Sequence, residues 1–336
     1  MPSDLQPGVI DVHCHVVPGE FPASPSAVET RWPCMVCGAA GRRTVTIEGK
    51  PFRELDDRSW DAARRIEGMD RDGLAVQVLS PMPELLSYWF ETPAAEAMCD
   101  HMNGFIAGMV AEAPRRFRGL GMAPMQDPEA AVRTLRTLKS QFGLDGIEVG
   151  SNILGVPVGD ARFEPVWAAA EDLGLAVFVH ALHPLATRGL AGQPLLTAFA
   201  GFPLDTGLAA ASFILSGVMS RHPRLRIGFS HGGGALGSLL GRMDQGWQLT
   251  KGFGGSAAET PSQIARRMFY DSNVYDPAYL AHLATRMAPG QIFLGTDYPY
   301  DILQTDPVGF LRRAPVTPDA LASLEHGAGR RFLAID

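Results

Sequence analysis

Short apolar runs rich in β-branched residues alternate along this chain with longer stretches whose apolar positions recur every three or four residues. The first pattern predicts strands at VIDVH (9–13), AVQVLS (75–80), FRGLGMA (117–123), GIEVGS (146–151), AVFVH (176–180), RIGFSH (226–231), MFYDSN (268–273) and IFLGTD (292–297). The second predicts helices between them, among them DAARRIEGMD, PEAAVRTLRTLKSQ and FEPVWAAAEDLG, with Gly or Pro near their ends as stop signals. Eight strands in one alternating series fit a single α/β domain over residues 1–336, a (β/α)8 TIM barrel of parallel strands joined by right-handed crossovers. The main irregularity is residues 17–60, rich in Pro, Gly and aromatics, a long insertion after the first strand. As a loop without regular structure at the top of a barrel, it would overhang the active face.

Composition narrows the class. Hydrophobic residues make up 46% and charged residues 19%, a balance that supplies a packed core and argues against disorder. The net charge of -7, with no run of Lys or Arg, excludes a strip that follows a phosphate backbone, so nucleic acid is not an expected partner. No apolar stretch approaches the ~20 residues of a bilayer span, and MPSDLQPG lacks both the basic region and the apolar core of a secretory signal. A cytoplasmic protein without a membrane partner is expected. Four cysteines, Cys14, Cys34, Cys37 and Cys99, are too few for a disulfide framework and suit a reducing compartment. Cys34 and Cys37 have the spacing of half a structural zinc site, but no second pair or nearby histidine completes four ligands, and they read as incidental loop cysteines.

The candidate chemistry lies at the strand ends. Side chains along a strand alternate faces, so His13 and His15 point one way and Cys14 the other. His180 closes AVFVH, His231 closes RIGFSH and Asp297 closes IFLGTD. In a (β/α)8 barrel all strand C-termini meet at one mouth, which brings these five potential ligands to one place. Imidazoles with a carboxylate favour zinc, with manganese, iron or cobalt compatible. The fourth strand offers Glu148 and no lysine, which disfavours a carboxylated lysine bridging two metals, so one divalent ion is expected. The GGG that follows His231 either admits a ligand closely or simply turns the chain into the next helix. His183, in HALHP, either faces the pocket as a substrate contact or is an ordinary loop histidine. Phe52, Trp60, Tyr88 and Trp89 either enclose a planar substrate or pack in the core.

DVHCHVVP, the segment GKPFRELDDRSWDAARRIEGMDRDGLAVQVLS, SYW at 87–89, PRRFRGLGMAPMQDPEAAV, FVH, FSHGGGA and LGTDYPY, in this order, resemble the amidohydrolase superfamily. The resemblance is to the branch typified by 2-amino-3-carboxymuconate-6-semialdehyde decarboxylase, and it runs through essentially the whole length. It implies His13, His15, His180 and Asp297 as metal ligands, and His231 as an acid or base beside the metal rather than a permanent ligand. It also implies Arg53 as the holder of a substrate carboxylate, and a homodimer in which a partner arginine, with Arg242 as the residue to watch, reaches the pocket. The stretches HALHPLATRG and LAGQPLLTAFAGFP depart from that branch, so the metal chemistry transfers better than the substrate. The expected activity is metal-dependent, O₂-independent decarboxylation of a small carboxylate of the carboxymuconate semialdehyde, hydroxybenzoate or hydroxypicolinate type. A metal-dependent hydrolase of a lactone or amide, or a hydratase, is the alternative on the same scaffold.

Overall fold

The structure, a computed structural model, describes residues 5–25, 29–188, 194–255 and 258–335. Residues 26–28 of the insertion and 189–193 of the HALHPLATRG and LAGQPLLTAFAGFP stretches lie outside them. All eight expected strands form and close into a parallel barrel: β1 (Val9–Val16), β2 (Leu74–Pro81), β3 (Phe117–Gly121), β4 (Gly146–Gly150), β5 (Ala176–His180), β6 (Arg226–Phe229), β7 (Phe269–Asp271) and β8 (Ile292–Tyr298). Each strand pairs with its neighbours in sequence, and β1 closes the ring against β8.

The core has two layers. One apolar cluster, including Ile10, Val12, Val76, Val78, Leu120, Phe178 and Phe293, reaches Phe332 of the C-terminal helix; a larger one takes in Cys14, Leu79, Val177 and Val179 together with helix residues such as Met102 and Trp167. Alternation alone cannot put Ile10 and Val12 in the first cluster and also turn His13 and His15 toward the mouth. The register of β1 resolves this. Asp11 pairs with Leu294 and His13 with Gly295, so β1 carries one extra residue there against β8. This bulge re-aims the following side chains, a common use of bulges beside functional sites.

Residues 17–60 are not the irregular loop expected. Cys34–Cys37, Arg43–Ile47 and Lys50–Leu55 make a three-stranded antiparallel sheet. Its second hairpin turns through Glu48 and Gly49, both at positive φ (54° and 69°), between the paired Ile47 and Lys50. Positive φ at both central residues is the turn that matches the twist of two flanking strands. Cys34 and Cys37 therefore stand in an edge strand rather than a loop. Three residues apart in a strand, they face opposite sides at roughly 10 Å, too far for a disulfide or a shared ion.

One further expectation needs correction. Pro194–Ser216 is a helical stretch of 23 residues, long and apolar enough by composition to cross a membrane, which the strand-and-helix reading did not register. Half of it is buried inside the protein.

A candidate metal centre at the barrel mouth

His13, His15, His180 and Asp297 converge: one ligand atom from each lies within 4.8 Å of the others, and all four residues are buried. His13 Nε2 and His15 Nε2 are 3.1 Å apart, and Asp297 Oδ1 lies 3.5 Å from the first and 3.2 Å from the second. The outer nitrogen of each imidazole is engaged. His13 Nδ1 donates to Asp271 Oδ2 at 2.6 Å, His15 Nδ1 to the Pro81 carbonyl at 2.9 Å, and His180 Nδ1 to the Ala181 carbonyl at 2.9 Å. With Nδ1 donating, each Nε2 presents a lone pair to the centre. Buried there without a hydrogen-bond partner are His180 Nε2 and Asp297 Oδ1. Three lone pairs and a carboxylate oxygen repel one another unless a cation lies among them, and one divalent ion satisfies all four.

The electrostatics point the same way. Burial alone would lower the His13 imidazole, but the Asp271 hydrogen bond and the charges of Asp297, Asp271 and Glu148 outweigh it and raise its pKa to about 9, so the carboxylates draw positive charge to this centre, and a divalent ion there would supply that charge in place of the proton on His13 Nε2. Burial holds His180 well below the ordinary histidine value, aided by the neighbouring imidazoles, and it holds His15 down as well. Asp297 stays ionised in spite of burial because His15, His13 and His180 surround it. Glu148 also points into this region, with its Oε2 3.6 Å from His15 Nδ1. Burial pushes its pKa up to about 8. The Ser80 hydroxyl beside it donates to the Cys14 carbonyl instead, leaving both Glu148 oxygens without a hydrogen bond.

Two of the functional side chains sit on unusual backbone. Asp297 has φ 63° and His231 φ 55°, left-handed conformations that non-glycine residues adopt at a cost of order 1–3 kcal/mol and that cluster at functional sites. His231 does not lie in a strand, as the pattern RIGFSH suggested; it opens a tight turn one residue beyond Ser230. Its ring centroid is 5.3 Å from that of His180 and 6.0 Å from that of His13, adjacent to the four-ligand group but outside it. Ser230 Oγ and Thr206 Oγ1 lie 3.0 and 3.3 Å from its Nδ1. The glycines that follow serve the turn. Gly232 has φ 61°, and a Cβ on Gly234 would run into the Pro203 carbonyl.

Asp271, at the end of β7, was not singled out in the sequence. Besides His13 Nδ1 it accepts from the backbone N–H of His231 at 3.0 Å, of Gly232 at 2.7 Å and of Asn273 at 3.0 Å. One carboxylate thus orients a ligand and anchors the turn that presents His231. Burial opposes its ionisation, but the His13 hydrogen bond and the charges of His13 and His231 prevail and keep its pKa below the ordinary value. Asp271→Asn is expected to weaken metal affinity roughly 10- to 100-fold while the fold is kept, read by competition with a chelator whose affinity is known.

A cavity of about 520 Å³ opens onto this centre. Arg53, His180, His183, His231, Asp297 and Tyr300 line it, together with Phe52 and Glu84. Of the expected substrate contacts, Arg53 and His183 reach the cavity and Trp89 does not. Trp89 stacks behind His183 at 5.3 Å between ring centroids and lines a smaller hollow of about 140 Å³. Tyr88 is core, its hydroxyl accepting from the Gly150 N–H, and Trp60 packs under the Arg43 guanidinium. Arg242 is exposed on helix Leu236–Leu249 and is not among the residues lining the cavity.

A family model described as Amidohydrolase matches residues 10–335. The sequence is 33% identical over 295 residues to 2-amino-3-carboxymuconate-6-semialdehyde decarboxylase of Dictyostelium discoideum, covering 87% of this chain and 82% of that protein. The crystal structure of 5-carboxyvanillate decarboxylase from Sphingomonas paucimobilis superimposes with a TM-score of 0.79 at 25% identity, covering 98% of this chain and 99% of that one. A dihydroxybenzoic acid decarboxylase from Polaromonas sp. JS666, crystallised with manganese and the inhibitor 2-nitroresorcinol, superimposes with a TM-score of 0.78 at 22% identity over 97% of each chain.

Proposed function

This chain belongs to the amidohydrolase family, in the branch that holds 2-amino-3-carboxymuconate-6-semialdehyde decarboxylase, and from that membership we propose that it is a metal-dependent, O₂-independent decarboxylase of a small unsaturated or aromatic carboxylate. The observation that carries the reading is Arg53. Its guanidinium lies 4.2 Å from the centroid of the Tyr300 ring and 5.7 Å from that of Phe52, and its Nε is buried without a hydrogen-bond partner. It lines the same cavity as His180, His231 and Asp297. A planar guanidinium with no ion pair to a carboxylate among the described residues, set above an aromatic face beside the candidate metal centre, is suited to a bidentate pair with a ligand's carboxylate.

Direct loss of CO₂ from an aryl or vinylic carbon would leave an unstabilised carbanion. A proton must therefore reach that carbon first. The bond to the carboxylate then breaks, its electron pair returns to the conjugated system, and neutral CO₂ departs. His13, His15, His180 and Asp297 would hold a divalent ion, zinc being the one these side chains favour, and it would supply Lewis acidity to oxygen groups within its reach. His231 handles the proton. Burial lowers its pKa, so the ring is predominantly neutral at neutral pH; it takes up a proton from solvent and delivers it to the ring or diene carbon, and that one proton replaces the CO₂ lost. Arg53 fixes the carboxylate over the reacting carbon, and the apolar wall of Met82, Leu182 and Phe202 keeps water from the departing group.

We also place the enzyme in the cytoplasm and assign it as a homodimer. Four free cysteines suit a reducing compartment, and the outer face of helix Phe202–Ser216 leaves Leu204, Leu208 and Leu215 exposed.

The test is CO₂ release from a panel of muconate, hydroxybenzoate and hydroxypicolinate acids by metal-loaded protein, with elemental analysis alongside. Arg53→Ala is expected to raise KM for the best substrate about 10- to 100-fold, the worth of a charge-assisted hydrogen-bonded pair, and Arg53→Lys to recover little of it. Bound metal with lactone opening or hydration and no CO₂ would move the same site to a hydrolase or hydratase.

A further inference from the structure

The cavity lined by Arg53 also carries an acid. Glu84, in the short helical turn Pro83–Leu86 that follows β2, lines it together with His183. The two are paired: His183 Nε2 lies 3.1 Å from Glu84 Oε2 and 3.2 Å from Oε1. The Glu84 side chain is only 18% exposed, whereas that of His183 is 52% exposed.

His183 is also held in an unfavourable backbone conformation, with φ 45°. Conformations of this kind persist only where the surroundings over-determine them. Here the surroundings are the Glu84 carboxylate at one edge of the ring and the stacked indole of Trp89 behind it, itself capped by the Arg31 guanidinium 5.2 Å from its ring centroid. A carboxylate beside a cavity built for an anionic ligand is repulsive by itself. It becomes favourable only where the ligand brings a hydrogen-bond donor, because an ionised carboxyl offers about four acceptor positions and His183 occupies one edge of it.

We propose that Glu84, oriented by His183, is a specificity determinant that accepts a hydrogen bond from a hydroxyl or amino substituent of the carboxylate substrate, at a point of the ring or diene remote from the group held by Arg53. The proposal rests on the decarboxylase reading above. It deepens that reading by assigning the substrate a donor substituent and excluding its alkylated counterpart. Trp89 acts one layer back, as the platform that keeps His183 in place.

Binding tests it independently of turnover. Dissociation constants for zinc-loaded protein would be measured calorimetrically for benzoate, the three monohydroxybenzoates, their aminobenzoate analogues and their methyl ethers. Wild type is expected to favour one hydroxy isomer over its methyl ether, or one amino isomer over its N,N-dimethyl counterpart measured alongside, by about tenfold or more, the worth of a hydrogen bond to a charged acceptor at a partly open site. Which of the two series shows the preference tells hydroxyl from amino recognition. Glu84→Leu is expected to collapse that ratio to within about twofold, and His183→Ala to reduce it. Bound zinc, the affinity for unsubstituted benzoate and its dependence on Arg53 report whether each variant is still folded. A ratio that survives in Glu84→Leu, or no such preference in wild type, overturns the assignment of Glu84 while leaving the decarboxylase reading standing. Failure of every carboxylate to bind in an Arg53-dependent manner removes both.

Discussion

Replacing His231 by asparagine is expected to lower kcat for CO₂ release by about 10²- to 10⁴-fold with bound metal and KM little changed, the size of effect that loss of a positioned proton donor or acceptor produces. The reasoning starts from where the ring stands. It lies beside His180 and His13 but outside the group of four whose ligand atoms converge. Its main-chain N–H is fixed by Asp271, and the hydroxyls of Ser230 and Thr206 orient its Nδ1. Asparagine tolerates the left-handed backbone that position 231 requires, which an alanine would strain, so the substitution isolates the imidazole chemistry. Parallel measurements of zinc content and single-turnover CO₂ release decide the matter. A variant that loses its metal would make His231 a fifth ligand, and one with near-normal kcat would remove it from the proton path.

The second large effect is on stability. Arg65 is fully buried, yet it is a charged residue in helix Ala62–Asp72. Its Nε donates to Gln77 Oε1 at 2.7 Å, and its Nη1 donates to the carbonyls of His15 at 2.9 Å and Arg58 at 3.0 Å. Its guanidinium lies 4.8 Å from the Tyr298 ring centroid. Gln77 in turn donates to Asp11 Oδ2 at 3.0 Å, and Asp11 also accepts from the Thr296 hydroxyl at 2.7 Å. The network ties β1, β2 and β8 together behind the metal ligands. Arg65→Met keeps much of the volume but removes the donor from two buried acceptors, Gln77 Oε1 and the His15 carbonyl, and from the half-buried Arg58 carbonyl, and leaves a buried carboxylate without its nearby cation. A loss of about 3–5 kcal/mol is expected in urea unfolding. The pH dependence gives a sharper check. Burial already raises the Asp11 pKa to about 6, opposed by Thr296, Gln77, His13 and Arg65, so removing Arg65 raises it further. A carboxyl whose folded pKa exceeds its unfolded value binds protons better when folded, so its buried charge penalises the fold above that pKa and the penalty fades below it. The gap between Arg65→Met and wild type should therefore be wider at pH 8 than at pH 5. A gap that is constant, or reversed, would show that Asp11 is not the group left uncompensated.

The strand pattern was legible because each barrel strand is a short apolar run between clear breakers, and all eight appear where the sequence places them. The four converging side chains were legible for a related reason: His13, His15, His180 and Asp297 stand at or near strand ends, and the topology carries strand ends to one mouth. Asp271 had the same signature, closing the run MFYD, but a lone Asp draws no notice unless its partner is known. The bulge in β1 leaves no mark in a run where every residue from Val9 to Val16 is buried, since apolar neighbours on both faces erase the alternation that would reveal it. The hairpin at 43–55 was missed because Glu-Gly is a weaker turn signal than Asn-Gly, although the alternation of RTVTI was present. Glu84 was illegible for another reason. Only the fold brings it to His183, 99 residues further along the chain.

The closure of β1 against β8 also sets when the candidate metal site is assembled. His13 stands on the first strand of the barrel, while Asp271, which orients it, lies 258 residues further along the chain, and Asp297 comes later still. During synthesis the nascent chain carries a histidine pair with no carboxylate to complete it. The site comes into existence only when the final strand leaves the ribosome and the ring shuts. An ion held by these four side chains would therefore bridge the first strand of the ring and the last, a clasp on the closed barrel rather than a seed for it.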